Sequence, residues 1–146
     1  MRKLRTWLVA ATSAWMLSNA CAHAEQLQRF GDWEVHYVVL PTEFLKPDVA
    51  AGYDIVRGRD RAFVNISVLS PDGLPSKVNV SGHSTNLLGQ RQTLAFREVS
   101  EGSAVYYLAE IKHSDEEVVR FKITVSGATR REMLLEFQQK LYWDER

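Results

Sequence analysis

The chain predicts an all-β fold, an immunoglobulin-like antiparallel β-sandwich of seven or eight strands with one short helix, behind an export signal. Three features carry this expectation. Apolar residues recur at every second position through short runs from Gly31 onward. Turn-forming residues separate the runs. The first two dozen residues have the charge and apolar order of a leader.

The leader comes first along the chain. Met1 to Arg5 holds Arg2, Lys3 and Arg5, and an apolar stretch from Thr6 to Leu17 follows. Ala22-His23-Ala24 then places small residues at the −3 and −1 positions, so cleavage is expected between Ala24 and Glu25. The apolar stretch is too short for a membrane span, which needs about 20 residues. Cys21 offers a second reading, a lipid anchor, because Ser18-Asn19-Ala20-Cys21 has a small residue before the thiol. Leu17 sits one place too early for a lipoprotein signal, so cleavage after Ala24 is the stronger reading. Residues 1–24 are then the signal peptide and residues 25–146 one β-sandwich domain.

In the mature region Trp33, Val35, Tyr37 and Val39 point one way with Glu34 and His36 the other, and Ala62, Val64, Ile66 and Val68 repeat the spacing. Val78 with Val80 and Leu94 with Phe96 continue the pattern. The run Val105 to Ile111 carries Tyr106 and Leu108 on its second face as well, so it is apolar on both sides and is expected to be a central strand. Val119 to Val125 alternates without exception, and Leu135, Phe137, Leu141 and Trp143 form the last run. Turns are expected at Pro71-Asp72-Gly73, Ser81-Gly82, Asn86 to Gly89, Glu101-Gly102-Ser103 and Ser126-Gly127. Lys46-Pro47 to Gly52 has proline where a helix starts and glycine where it stops, so one or two helical turns are expected there.

Composition excludes some functions. Without its leader the domain keeps 15 basic and 18 acidic residues, a net charge of −3. Nothing favours nucleic acid or anionic lipid as a partner. With Cys21 removed there is no thiol left for redox or nucleophilic work. No glycine-rich phosphate loop, nucleophile elbow or closely spaced metal-ligand pair occurs, so no catalytic residue, cofactor or metal is assigned.

The scattered candidates each have an ordinary explanation. His36, His83 and His113 could meet as a metal site, although each sits on the polar side of a strand or beside a turn, where a solvated imidazole is commonplace. Arg57-Gly58-Arg59-Asp60-Arg61 could offer guanidiniums to an anion, or form a self-neutralised hairpin turn. Ser114-Asp115-Glu116-Glu117 lacks the spacing of a calcium loop and reads as a solvated turn. Ser67, Ser81 and Ser84 have no organised base near them in sequence. Asn65 interrupts an apolar strand, a position that calls for a hydrogen-bond partner. Tyr142 and Trp143 either close the sandwich or lie on an edge open to a partner.

Several longer stretches carry a family likeness: Phe30 to Tyr37, Phe44 to Ala50, Arg61 to Val68, Asn86 to Gly89, Phe96 to Glu98, Tyr106 to Glu110 and Ser114 to Glu117. They resemble the exported proteins of Gram-negative bacteria grouped as domain of unknown function 4426. The resemblance implies a periplasmic protein and brings no catalytic or ligand-binding residue with it.

The leading expectation is a non-enzymatic interaction module that binds another periplasmic or envelope protein. The residues from Phe44 to Tyr53, with Arg57, Arg59 and Arg61, are its candidate surface. Second comes a small-ligand or metal-binding domain using some of His36, Asn65, His83 and His113; third, a hydrolase with a dispersed active site.

Overall fold

A computed structural model describes residues 25–143. The leader, Cys21 and the Ala24 side of the cleavage site lie outside the described residues. Nine strands form: β1 Gln26–Phe30, β2 Trp33–Pro41, β3 Arg61–Leu69, β4 Asn79–Asn86, β5 Arg91–Leu94, β6 Arg97–Glu101, β7 Ala104–Lys112, β8 Glu117–Ser126 and β9 Met133–Leu141. Between β2 and β3 lie a 3-10 turn, Thr42–Phe44, and helix α1, Pro47–Gly52, with its proline in the first turn as expected.

All pairings are antiparallel, in two sheets ordered β1-β2-β3-β7-β6 and β5-β4-β8-β9. Strands β2-β3-β7-β6 occupy the A-B-E-D positions of an immunoglobulin domain, and β5-β4-β8-β9 the C′-C-F-G positions. Strand β1 adds to one edge. The fold is an immunoglobulin-like β-sandwich built without the disulfide of an antibody domain.

Period-two patterning explains the interior. Val35, Val64, Ile66, Ile123, Val125 and Leu135 are fully buried where the two sheets face each other. The Tyr107 hydroxyl accepts a 2.8 Å hydrogen bond from the Val78 amide, which clips the loop before β4 to β7. Phe121 and Phe137 stack at 4.7 Å, and Tyr37 tilts against Phe137 at 4.4 Å.

Three local expectations are corrected. Strand β1 was not expected because Gln26, Gln28 and Arg29 leave it no apolar period. The expected single run through Leu94 and Phe96 is two strands in different sheets, β5 and β6, with the chain crossing between sheets at Ala95-Phe96. The turn expected at Ser81-Gly82 is the middle of β4. A Cβ at Gly82 would lie 2.5 Å from the Lys122 carbonyl oxygen, so this glycine permits close strand approach and makes no turn.

A second, smaller core lies on the outer face of the five-stranded sheet. Ala50 and Ile55 from the β2–β3 crossover pack there against Phe63 and Leu108. This explains why β7 is apolar on both faces.

Candidate functional site

The crossover that covers β3 and β7 is pinned at three points. Thr42 is fully buried; its Oγ1 accepts the Gly58 amide at 3.0 Å and donates to the Gly58 or Arg61 carbonyl, at 3.1 and 3.2 Å. Glu110 on β7 accepts the Val56 amide at 2.9 Å. Arg97 on β6 donates to the Asp54 carbonyl at 3.3 Å. These bonds hold α1 and its flanks as a fixed roof over one end of the sheet.

Beside that roof the outer face opens into a cleft of about 260 Å³. Phe63, Val99 and Leu108 form its floor, and Leu45, Tyr53 and Ile55 its wall. Phe44 stands at the mouth with 66% of its surface exposed. The polar groups are few. Glu101 and Tyr106 contribute from β6 and β7, and Asn65 from β3. The Asn65 Oδ1 is buried and has no hydrogen-bond partner. Val38 and Leu108 are its directly paired cross-strand neighbours, and neither side chain can hydrogen-bond to it. The hydrogen bond its sequence context calls for is missing.

Two larger hollows, of about 530 and 520 Å³, lie by the β8–β9 loop and on the face of β8 and β9. Among the described residues, neither collects an unpartnered buried polar atom.

The candidates from sequence separate. Phe44 and Tyr53 line the cleft. Arg57 donates to the Glu43 carbonyl at 3.3 Å, close to the mouth. Arg59 points elsewhere, its guanidinium 4.6 Å above the Trp143 ring. Arg61 begins β3, opposite Lys112. The segment Arg57 to Arg61 ends the β2–β3 crossover and forms no hairpin. The Trp143 indole donates to the His113 carbonyl at 3.2 Å and its amide to Asp115 at 2.9 Å. That docks Trp143 on the β7–β8 loop, whereas Tyr142 stays 54% exposed.

The three histidines lie apart, on β2, on β4 and in the β7–β8 loop. His36 meets Glu34 at Nε2, 3.1 Å away, and Glu25 at Nδ1, 3.7 Å away. Its two carboxylates approach opposite sides of the ring, so no single point is shared by all three. His83 accepts from Arg91 at 3.0 Å. Partial desolvation lowers its pKa, and the Arg91 and Lys122 charges lower it further. His113 is buried, contrary to the solvated imidazole expected, and its Nδ1–H donates to the Ser114 carbonyl at 2.8 Å. The acidic run is engaged too: Glu117 caps the Ser114 amide at 2.9 Å and accepts from Asn86 at 2.7 Å.

Fold and cleft together define a small immunoglobulin-like sandwich with an apolar recess roofed by its β2–β3 crossover. The DUF4426 family model (domain of unknown function) matches residues 16–144, and the chain belongs to this family. A DUF4426 family protein from Pseudomonas aeruginosa is 36% identical, with a TM-score of 0.75, covering 83% of this chain and 97% of that one. FetP of uropathogenic Escherichia coli shares the fold at 12% identity. One FetP structure, of protein expressed in the periplasm, has a TM-score of 0.60 and covers 84% of this chain and 96% of its own. The other, a copper-bound variant, has a TM-score of 0.61 and covers 82% and 96%. No curated protein matches the chain.

Proposed function

We propose that the mature domain is a non-enzymatic periplasmic interaction module that binds an envelope protein through the outer-face cleft. One observation carries the reading. An apolar recess with an exposed phenylalanine at its mouth is lined by Asn65, whose side-chain oxygen is buried and lacks a partner. A structural core has no reason to leave such an atom unmatched, whereas a binding site is completed by what it binds. The leader supports export. Among the described residues no helix is long and apolar enough to cross a membrane.

Photo-cross-linking in living cells tests this. Benzoylphenylalanine at Phe44 should yield discrete adducts with envelope proteins, and the same probe at Leu134, on the other sheet's outer face, should not. Equal patterns from both positions, or none from Phe44, would reject the cleft as the contact.

Copper in FetP gives a metal-binding reading its motive, and we rank it second. The donors nearest to hand are His36, Glu34 and Glu25, whose arrangement around the ring suits hydrogen bonding better than chelation. A stoichiometric copper or zinc content in untagged protein would move this reading to first place.

A further inference from the structure

We infer that the domain pairs with a second copy of itself, β9 against β9, across a two-fold axis level with Gln138. Two four-stranded sheets then become one sheet of eight strands. This surface is separate from the cleft and stands independently of what the cleft binds.

The sheet edges differ in length. Strands β1 and β6 end one sheet, and β5 and β9 end the other. Strands β1, β5 and β6 run for 5, 4 and 5 residues, whereas β9 runs for 9. Among the described residues β9 pairs with β8 and with no other strand. It holds no proline or glycine, and no charged side chain on it points inward, so the usual guards of an edge are missing. An edge of this length presents a row of amides and carbonyls that another strand can take up.

The outer face of β9 says which strand that is. Leu134, Glu136, Gln138 and Lys140 are exposed there, and exposed Tyr142 follows just past the strand end. Antiparallel pairing of two copies joins outward-facing backbone groups only where paired residue numbers are both odd or both even. The axis must therefore lie level with a residue. At Gln138 it sets Glu136 against the partner's Lys140 and Leu134 against the partner's Tyr142, each twice. At Phe137 it would set Leu134 against the partner's Lys140, and at Glu136 it would set the two glutamates together. Opposite charges and apolar pairs facing across strands stabilise a sheet, and like charges opposite one another destabilise it.

Neighbouring charges extend the match. Lys122 lies 3.6 Å from Glu136, and Glu116 lies 3.5 Å from Lys140. The two-fold lines these up as Lys122, Glu136, the partner's Lys140 and the partner's Glu116, a row of alternating sign. The cleft stays open in such a dimer, because it lies on the outer face of the other sheet. A photo-probe at Leu134 then joins the chain to itself and to no other protein.

Sedimentation velocity over a micromolar concentration series tests the inference. The unaltered protein should dimerise. Glu136→Lys and Lys140→Glu should each weaken the dimer roughly tenfold, since each sets two like-charged pairs across the axis. An equimolar mixture of the two variants should regain the unaltered affinity, because every pair across the axis is then of opposite sign. A folding defect would not be cured by mixing. Oxidation supplies a second reading of the register. Gln138→Cys sits on the axis and should form a covalent dimer, whereas Glu136→Cys lies about 14 Å from its own counterpart and should not. A monomer throughout the series would overturn the inference. So would a dimer that neither charge reversal weakens, or variants that stay apart when mixed.

Discussion

The two cores of this domain are made from the same residue types and differ in how completely they close. Between the sheets, Ile66, Ile123 and Leu135 are sealed from solvent, and the polar Ser84 there is 2% exposed. On the outer face, Phe63 and Leu108 are covered from one side by a short crossover, with an open recess and a partnerless oxygen beside them. A core that exists only to hold the fold is filled to the density of a crystal and pairs its polar atoms. The outer core stops short of that. The difference separates what keeps the chain folded from what it can offer a partner.

Perturbing each core should give effects of different size. Leu135→Ala removes a fully buried side chain from the interior and should lower stability by about 3–5 kcal/mol in urea titrations. Gly82→Ala comes next. Its methyl group would meet the Lys122 carbonyl oxygen and Ile123 Cα at 2.5 and 2.9 Å, both backbone atoms, so β4 and β8 must separate. A loss of roughly 2 kcal/mol is expected from that overpacking. Leu108→Ala, in the outer core, should cost about 2 kcal/mol, since the neighbouring recess already leaves room to relax. If Leu108→Ala proves as damaging as Leu135→Ala, the outer core is structural and the contrast disappears.

The smallest effect concerns pH and a residue outside both cores. In the folded chain His83 has a pKa below its ordinary 6.5, so the unfolded chain takes up the proton first as pH falls. Its contribution to stability is complete above pH 6.5 and lost through the window down to the folded value, below which it is level. Unfolding midpoints at pH 7.5 and pH 5 should therefore draw closer together in His83→Asn than in the unaltered chain. An unchanged gap would show that neither desolvation nor the Arg91 and Lys122 charges act on this imidazole.

How much of this was legible in the sequence follows from the same contrast. The interior was readable because Val119, Phe121, Ile123 and Val125 repeat at two residues, and a strand covered on one face must do so. The outer core left fainter marks: Leu108 and Tyr106 on the second face of β7, and Asn65 among apolar neighbours. Those marks suggested a central strand, and only the structure shows that the crossover with the proline-started helix covers this face. Which residues meet across the cleft was not legible. Val99 and Glu101 come from β6, and nothing local sets them facing Tyr53 on a crossover more than forty residues earlier. Arg59 was misleading for a related reason. Its position in a basic cluster says nothing of Trp143, which reaches it from the far end of the chain.

Asn65→Val tests the central claim most directly, through its thermal unfolding midpoint. Valine suits a β-strand and removes the orphaned oxygen, so the variant alone should melt above the unaltered protein, by the equivalent of about 1 kcal/mol. A variant that melts lower would mean that Asn65 serves the fold and that the recess has no need of it.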